Sequence, residues 1–138
     1  MDMGVEPYLV ASAVEGVVAQ RLVRRLCPDC RINAEPREAS FFAEIGFPSD
    51  LLASATLFEA GHCDNCRNSG FRGRLGIFEI LPVTDAVQSL ITARHSSIEI
   101  RQQALKEGMR SLRDDGWEKV AGGRTTLEEV LRATEEAT

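Results

Sequence analysis

The sequence predicts an α+β fold that is mostly helical. A helix and a small antiparallel strand pair accompany a tetracysteine zinc module, and a compact bundle of short helices follows. Three observations predict this architecture. All four cysteines of the chain occur as two Cys-x-x-Cys pairs. Short β-type runs enter and leave these pairs. Four amphipathic segments with helix-capping residues then follow to the end of the chain.

The first predicted element is a helix over residues 7–22. Pro7 suits the first turn of a helix, and Gly16 weakens the prediction slightly. The apolar residues recur three and four positions apart on one stripe, as in an amphipathic helix; they are Leu9, Val10, Ala13, Val14, Val17, Val18 and Leu22. The short mixed run at residues 23–26 is interpreted as a strand that leads into Cys27.

Residues 31–60 are an insert between the two cysteine pairs. Ser40 is a candidate cap for a short helix that ends at Gly46, and Ser49 with Asp50 begins a second helical turn. Residues 56–59 have strand character. The insert is too small to bury its phenylalanines well by itself, so a bound metal would supply stability. We expect it to project as a knob from the strands on either side.

Three glycines, Gly70, Gly73 and Gly76, follow the second cysteine pair. A phosphate-cradling loop is one interpretation, but the stretch contains no lysine. A bulged strand or hairpin, in which glycine lets two backbones approach closely, is the other interpretation and the one we favour. Residues 75–81 are the strand itself. We expect residues 23–26 and 70–81 to pair as antiparallel strands, with the metal fastening the ends of the pair.

The remainder of the chain is predicted to be helical. Thr84, Ser96 and Ser111 each precede an amphipathic segment, and Thr125 or Thr126 precedes a fourth. The spacings predict four short helices with tight turns, which would fold as one compact bundle with its own core. Trp117 is interpreted as a core residue of this bundle.

Cys27, Cys30, Cys63 and Cys66 are the predicted metal ligands. Two residues between cysteines allow a tight turn to aim both sulfurs at one point, and two such turns give the tetrahedral four-thiolate geometry of structural zinc. Iron in a rubredoxin-like site is an alternative, because the same ligands suit both metals. Two disulfides or free dithiols are the remaining alternatives, although no secretory segment begins the chain. His62 and His95 are interpreted as loop residues.

Composition and motifs exclude several classes of function. The chain has 138 residues, is 43% apolar and carries a formal net charge of −5. No apolar run approaches the length of a membrane span, and neither half of the chain is basic, as a nucleic-acid-binding protein would be. The sequence contains no phosphate-binding P-loop, zinc-protease motif or serine-hydrolase motif. No catalytic or cofactor-binding residue is therefore predicted.

Five blocks of the sequence resemble the C-terminal part of the type II secretion and type IV pilus assembly ATPases. They occur in the family's order, cover nearly the whole chain and include the tetracysteine pattern with its insert. The opening block and the ending Thr-Thr-Leu-Glu-Glu are more similar to the secretion branch. The blocks are residues 2–12, 18–30, 70–81 (Gly-Phe-Arg-Gly-Arg-Leu-Gly-Ile-Phe-Glu-Ile-Leu), 108–116 and 125–134.

The resemblance implies a bacterial cytoplasmic motor, peripheral to the inner membrane, whose six subunits hydrolyse ATP to assemble a pilus-like filament. Its partners would be the other subunits and the inner-membrane platform proteins. ATP and Mg²⁺ would bind only in the full-length parent, since the family's catalytic elements precede this region. The implied division is residues 1–26, the tail of a RecA-like core; 27–66, the zinc module; 67–83, a return strand; and 84–138, the helical module.

Two other functional classes compete with this interpretation. A zinc-ribbon nucleic-acid-binding protein is favoured by the clustered arginines, but net charge and the lack of neighbouring stacking aromatics oppose it. A rubredoxin-like electron carrier would need iron at the four cysteines. The leading hypothesis is a structural region of a secretion ATPase that positions subunits, offers a surface to the membrane platform and does not bind nucleic acid. The pilus branch is its nearest alternative.

Overall fold

A computed structural model describes residues 4–135 of the protein, so the outer ends of the predicted segments 1–26 and 84–138, and the first two residues of the block 2–12, lie outside the described residues. Within them the α+β class is confirmed. The helices are α1 (Pro7–Ala13), α2 (Ala39–Glu44), α3 (Ser49–Ser54), α4 (Asp85–Thr92), α5 (Ser97–Lys106), α6 (Leu112–Ala121) and α7 (Leu127–Thr134). The strands are β1 (Gly16–Leu26), β2 (Ile32–Asn33), β3 (Phe58–Glu59) and β4 (Phe71–Pro82).

The helix predicted over residues 7–22 is wrong beyond Ala13. Val14 has an extended backbone, and β1 begins at Gly16. The valines that formed the apolar stripe are β-branched and favour extended backbone. Val17 and Val18 are 52% and 63% exposed, so the stripe did not mark a buried helix face. The spacing of the apolar residues in this segment fits a helix and a strand equally well. Here, pairing with β4 favoured the strand.

The expected pairing of the segments that flank the cysteines is confirmed, because β1 and β4 form a two-stranded sheet. The amide of Cys27 donates to the carbonyl of Gly70 at 2.9 Å, and the amide of Val83 donates to Glu15 at 3.0 Å. The end of β1 therefore lies opposite the start of β4, and the start of β1 lies opposite the end of β4, so the pair is antiparallel. In a second small sheet β2 and β3 are antiparallel, with Ile32 opposite Glu59.

Three of the predicted helix caps are present. The side chains of Thr84, Ser96 and Thr126 accept hydrogen bonds from the third residue after each, which satisfies an otherwise unpaired amide of the first turn. The insert differs, because α2 begins at Ala39, before its predicted cap Ser40, and α3 begins at Ser49, which was itself the predicted cap. Neither of these short helices has a side-chain cap.

The chain divides into two compact units. The first consists of Met1–Ala19 and Glu79–Ser111. Its core is aliphatic, with Ala11 of α1 against Val87 and Ile91 of α4, and with Leu81 and Ile100 partly buried beside them. The side chain of Arg101 binds Glu79 through two hydrogen bonds of 2.8 and 2.9 Å.

The second unit consists of Gln20–Phe78 and Leu112–Thr138. Its core joins residues of the insert to residues of the last two helices; the buried members are Phe42, Phe47, Trp117, Val120, Leu127 and Val130. The rings of Phe47 and Trp117 lie 5.3 Å apart. Trp117 is fully buried, which confirms its predicted role in a core.

The four terminal helices are divided between the two units: α4 and α5 belong to the first, and α6 and α7 belong to the second. The insert is not a projecting knob, because Phe42 and Phe47 pack against α6 and α7. The physical reason is that the insert is too small to bury its phenylalanines by itself, as its sequence already indicated. Its aromatic side chains need more apolar surface than thirty residues provide, and Trp117 supplies that surface.

Candidate metal centre

The four predicted ligands lie together in the second unit. Their sulfur atoms are all within 4.8 Å of one another, and the structure has them as free thiols. The Cys27–Cys63 and Cys30–Cys66 sulfur pairs are 3.7 Å apart, and the Cys63–Cys66 pair is 3.6 Å apart. A tetrahedral site with Zn–S bonds of about 2.3 Å requires sulfur atoms about 3.8 Å apart. The donor set therefore fits a four-coordinate metal ion.

Backbone hydrogen bonds shape the two cysteine turns. The amide of Arg31 donates to Cys27, and the amide of Asn68 donates to Cys63, at 3.1 and 2.8 Å. The amide of Gly70 donates to the Cys66 sulfur at 3.2 Å. A hydrogen bond from a backbone amide to a metal-bound thiolate is the usual way in which a protein orients and stabilises such a ligand.

Two glycines are required by close approach at this centre. A side chain at Gly61 would place its Cβ 1.8 Å from the carbonyl oxygen of Cys30. Gly70 has a φ of +82°, and a Cβ there would lie 2.4 Å from the side chain of Ala60. Both positions hold the second turn against the first. Sequence reasoning noted the glycine after the second turn, but it gave Gly61 no role, although its place two residues before Cys63 was a visible signal.

The thiols differ in acidity before any metal binds. Burial raises the pKa of the Cys30 thiol to about 12, and hydrogen bonds among the thiols add to the rise. Burial also acts to raise the pKa of Cys66, but hydrogen bonds with the Gly70 amide, Cys63 and Cys30 together outweigh burial and bring the pKa to about 6. At neutral pH the Cys66 side chain is therefore already a thiolate. A bound cation would favour the thiolate form of the other three cysteines as well.

His62 is not one of the clustered ligands. Its Nδ1 lies 2.9 Å from the carbonyl oxygen of Asn68, within the loop that carries the second cysteine turn. His95 belongs to the first unit, where it lies two residues before α5 and contacts Glu99. Neither histidine is therefore needed to complete four ligands.

A buried ion pair fastens the last helix to the strand that enters the metal centre. Glu129 is 2% exposed. Its carboxylate accepts hydrogen bonds from the Arg24 amide at 2.7 Å and from two guanidinium nitrogens of Arg24 at 3.0 and 3.2 Å. Burial opposes its charge, but Arg24 and, to a smaller extent, Arg132 together outweigh burial and lower the pKa of Glu129. The two residues are 105 positions apart, and no local pattern marked them as partners.

The first cysteine turn is tied to the loop before α7 as well. Arg31 donates to the carbonyl of Gly123 at 2.7 Å, and its guanidinium lies 4.1 Å from the ring centre of Phe58. The hydroxyl of Thr125 donates to the carbonyl of Arg24 at 2.8 Å. The metal centre, the strand β1 and the last helix are thus connected by specific polar contacts.

Among residues 4–135, none of the helices has the length and apolar character that a membrane span requires.

The family model described as Type II/IV secretion system protein matches residues 1–132. The chain belongs to this family. The resemblance noted in the sequence is therefore confirmed, and the fold and the cysteine cluster described above are those of a member.

Curated relatives carry names from both branches of the family. The Type II secretion system ATPase E of Vibrio cholerae is 47% identical over 140 residues, covering 99% of this chain and 26% of the relative. The Type II secretion system protein E of Pseudomonas aeruginosa is 46% identical over 136 residues, with 99% and 26% covered. The Type IV pilus assembly ATPase PilB of Myxococcus xanthus is 40% identical over 134 residues, with 97% and 24% covered. The chain thus spans about a quarter of the length of these relatives.

Proposed function

We propose that this chain is a zinc-stabilised structural region of an ATPase that powers type II protein secretion. In this proposal it corresponds to the C-terminal region of such a motor. Zinc bound by Cys27, Cys30, Cys63 and Cys66 holds the two cysteine turns together. The observation that carries the proposal is the four-sulfur cluster, with tetrahedral spacing, in a chain that matches the family over residues 1–132.

The proposed role of the region is mechanical rather than catalytic. The metal centre closes the end of the β1–β4 pair, and Glu129 and Arg31 tie α7 and its preceding loop to the same end. A closed metal site and a paired strand deform little, so this region would pass a subunit's movement to its neighbours in a hexamer or to a membrane platform. The protein would act in the cytoplasm, against the inner membrane, without binding nucleic acid.

The chain is not expected to hydrolyse ATP by itself. Phosphoryl transfer needs a positioned phosphate-binding loop and Mg²⁺ ligands, and the sequence has no Gly-x-x-x-x-Gly-Lys motif. In the proposal ATP and Mg²⁺ bind only in the full-length parent. Magnesium-dependent phosphate release by the purified chain, above that of a heat-denatured sample, would contradict this part.

A region exchange tests the function. The matching region of the V. cholerae secretion ATPase is replaced by residues 1–138 of this chain, and secretion is measured in a strain that lacks the native ATPase. We expect the chimera to restore secretion, and the same chimera with Cys63→Ser and Cys66→Ser to fail although it is produced. A folded chimera that restores no secretion, or a double variant that secretes normally, would contradict the proposal.

Pilus assembly is the second candidate, favoured by the 40% identity to PilB of M. xanthus. The same exchange made in that pilus ATPase, with surface pili as the readout, separates the two branches. The secretion proposal predicts fuller activity in the secretion motor than in the pilus motor. The reverse order would assign the chain to pilus assembly.

A further inference from the structure

A polar cleft lies beside the first cysteine turn, in the second unit. It has a volume of about 340 Å³ and is lined by Arg25 of β1, Pro28 of the turn, and Arg72 and Gly73 of β4. The two arginines are exposed. Gly73 has a φ of +72°, and no atom lies within 4 Å of the position that a Cβ would occupy there. The cleft is therefore open at Gly73 and flanked by two guanidinium groups.

The charge of this cleft is locally positive in a chain whose formal net charge is −5. A carboxylate oxygen of Asp29 lies 3.7 Å from a guanidinium nitrogen of Arg72, and it accepts a hydrogen bond of 3.0 Å from the side-chain amide of Asn65. Within residues 4–135, the guanidinium of Arg25 has no hydrogen bond or ion pair with another residue. The Asp29 carboxylate thus lies beside Arg72, whereas the Arg25 guanidinium is unpaired among residues 4–135.

Guanidinium groups are the side chains best suited to bind phosphate oxygens, because their planar donors form two parallel charge-assisted hydrogen bonds. We propose that Arg25 and Arg72 bind a phosphate group in this cleft. Gly73 allows the group to approach the backbone of β4, and the Asp29 carboxylate beside Arg72 competes with the phosphate for that arginine. The phosphate belongs either to a small soluble anion or to a lipid headgroup, which present the same oxygen atoms to the cleft.

The test uses the full 138-residue chain with its zinc content measured. Inorganic pyrophosphate is titrated into the protein by calorimetry, at one moderate salt concentration because surface charge is screened by salt. In a second arm the protein is floated with phosphatidylcholine vesicles that contain or lack phosphatidylglycerol. Four variants are compared: Arg25→Gln, Arg72→Gln, Asp29→Asn and, as the control, Arg21→Gln.

Arg21→Gln is a matched control because Arg21 is an exposed arginine of the same strand and is not among the lining residues. Its guanidinium donates to the carbonyl of Gln20. The substitution changes the net charge as Arg25→Gln does. We expect Arg25→Gln and Arg72→Gln each to weaken binding about tenfold or more, and Arg21→Gln to leave it unchanged. Asp29→Asn removes the competing carboxylate and should strengthen binding.

The two arms identify the source of the phosphate. Pyrophosphate binding that is lost in the two cleft variants supports the proposal and assigns a soluble ligand. Vesicle binding that requires phosphatidylglycerol and is lost in the same variants supports it and assigns a lipid headgroup. Absence of binding to both probes overturns the proposal. Equal weakening by Arg21→Gln also overturns it, since the attraction would then come from general surface charge.

Discussion

The two units of this chain differ in what stabilises each of them. The first has a small aliphatic core of Ala11, Val87 and Ile91 with partly buried aliphatic neighbours. The second has an aromatic core around Trp117 and, separately, four thiols at the end of β1 and at the start of β4. In our proposal the second unit thus has two sources of stability, its aromatic core and a metal ion bound by the four thiols. The comparison teaches that metal loss should affect the two units unequally.

Metal removal is expected to have the largest effect. Structural zinc contributes about 10–16 kcal/mol of apparent binding free energy. Because Phe42 and Phe47 of the insert pack on α6 and α7, loss of the metal should release amide protection in α6 and α7 as well as in residues 27–66. A smaller effect, confined to residues 27–66, would follow if the terminal helices had a core of their own.

Hydrogen–deuterium exchange of the zinc-loaded chain and of Cys63→Ser measures this difference. The amides of α4 and α5 in the first unit serve as the internal control and should retain most of their protection. Unchanged protection of α6 and α7 in the variant would show that their packing does not depend on the metal centre. Equal loss in both units would show that the aliphatic core is not independent.

Truncation of the Trp117 side chain is expected to have the next largest effect on the stability of the second unit. Trp117→Ala should lower the free energy of unfolding of the second unit by about 3–5 kcal/mol, the range for removing a buried aromatic side chain. Trp117→Phe should cost much less, because the indole nitrogen has no hydrogen-bond partner among the residues that the structure describes. Urea unfolding, followed by exchange, checks both values. A loss from Trp117→Phe that equals the loss from Trp117→Ala would contradict this account.

A methyl group at Gly61 tests the close approach of the two cysteine turns. Gly61→Ala places a Cβ against the Cys30 carbonyl and should destabilise the second unit by about 1–3 kcal/mol, as overpacking does, with weaker zinc retention against a chelator. Gly122→Ala is the matched control, because its nearest contact is an ordinary 3.5 Å. Similar zinc retention in both variants would show that the turns accommodate the methyl group.

The ion pair of Glu129 and Arg24 is expected to have the smallest effect. Glu129→Gln should cost about 1.5 kcal/mol at neutral pH, typical of a hydrogen bond to a charged group. The pKa of Glu129 is lowered in the folded state from an ordinary value of 4.5. Its contribution is therefore present above pH 4.5 and is lost as the pH falls through the lower, folded-state pKa.

Urea unfolding of the intact chain and of Glu129→Gln, at neutral pH and at successively lower pH, measures this contribution. The difference between the two proteins should be constant above pH 4.5 and shrink below it. A difference that is the same at every pH would show that the carboxylate charge contributes nothing. Zinc content is measured at each pH, because acid also releases zinc from thiolates, and the comparison is restricted to pH values at which both proteins retain the metal.

The local features of the fold could be predicted from the sequence, whereas its long-range packing could not. The cysteine spacing predicted which four residues meet, and the caps at Thr84, Ser96 and Thr126 predicted where helices begin, since both signals lie within a few residues. The region around Val17 and Val18 failed because apolar β-branched residues fit a helix stripe and a strand alike. Pairing with β4, which lies some sixty residues further along the chain, decided that region.

The partners of single residues were also out of reach of local patterns. Nothing near Phe47 in the sequence indicates Trp117, and nothing near Arg24 indicates Glu129. The arginines were noted as a possible nucleic-acid surface, and the antiparallel pairing of β1 and β4 brings two of them, Arg25 and Arg72, to one cleft. Sequence spacing gives the composition of a surface, and strand register decides which of its members lie together.

The central claim is that one zinc ion is bound by the four cysteines. Elemental analysis of the purified chain tests it most directly, because the four cysteines and three methionines provide seven sulfur atoms per chain as an internal standard. We expect one zinc for every seven sulfurs, and no retained zinc in Cys63→Ser/Cys66→Ser. A folded chain without stoichiometric metal, or one that contains iron in place of zinc, would contradict the claim.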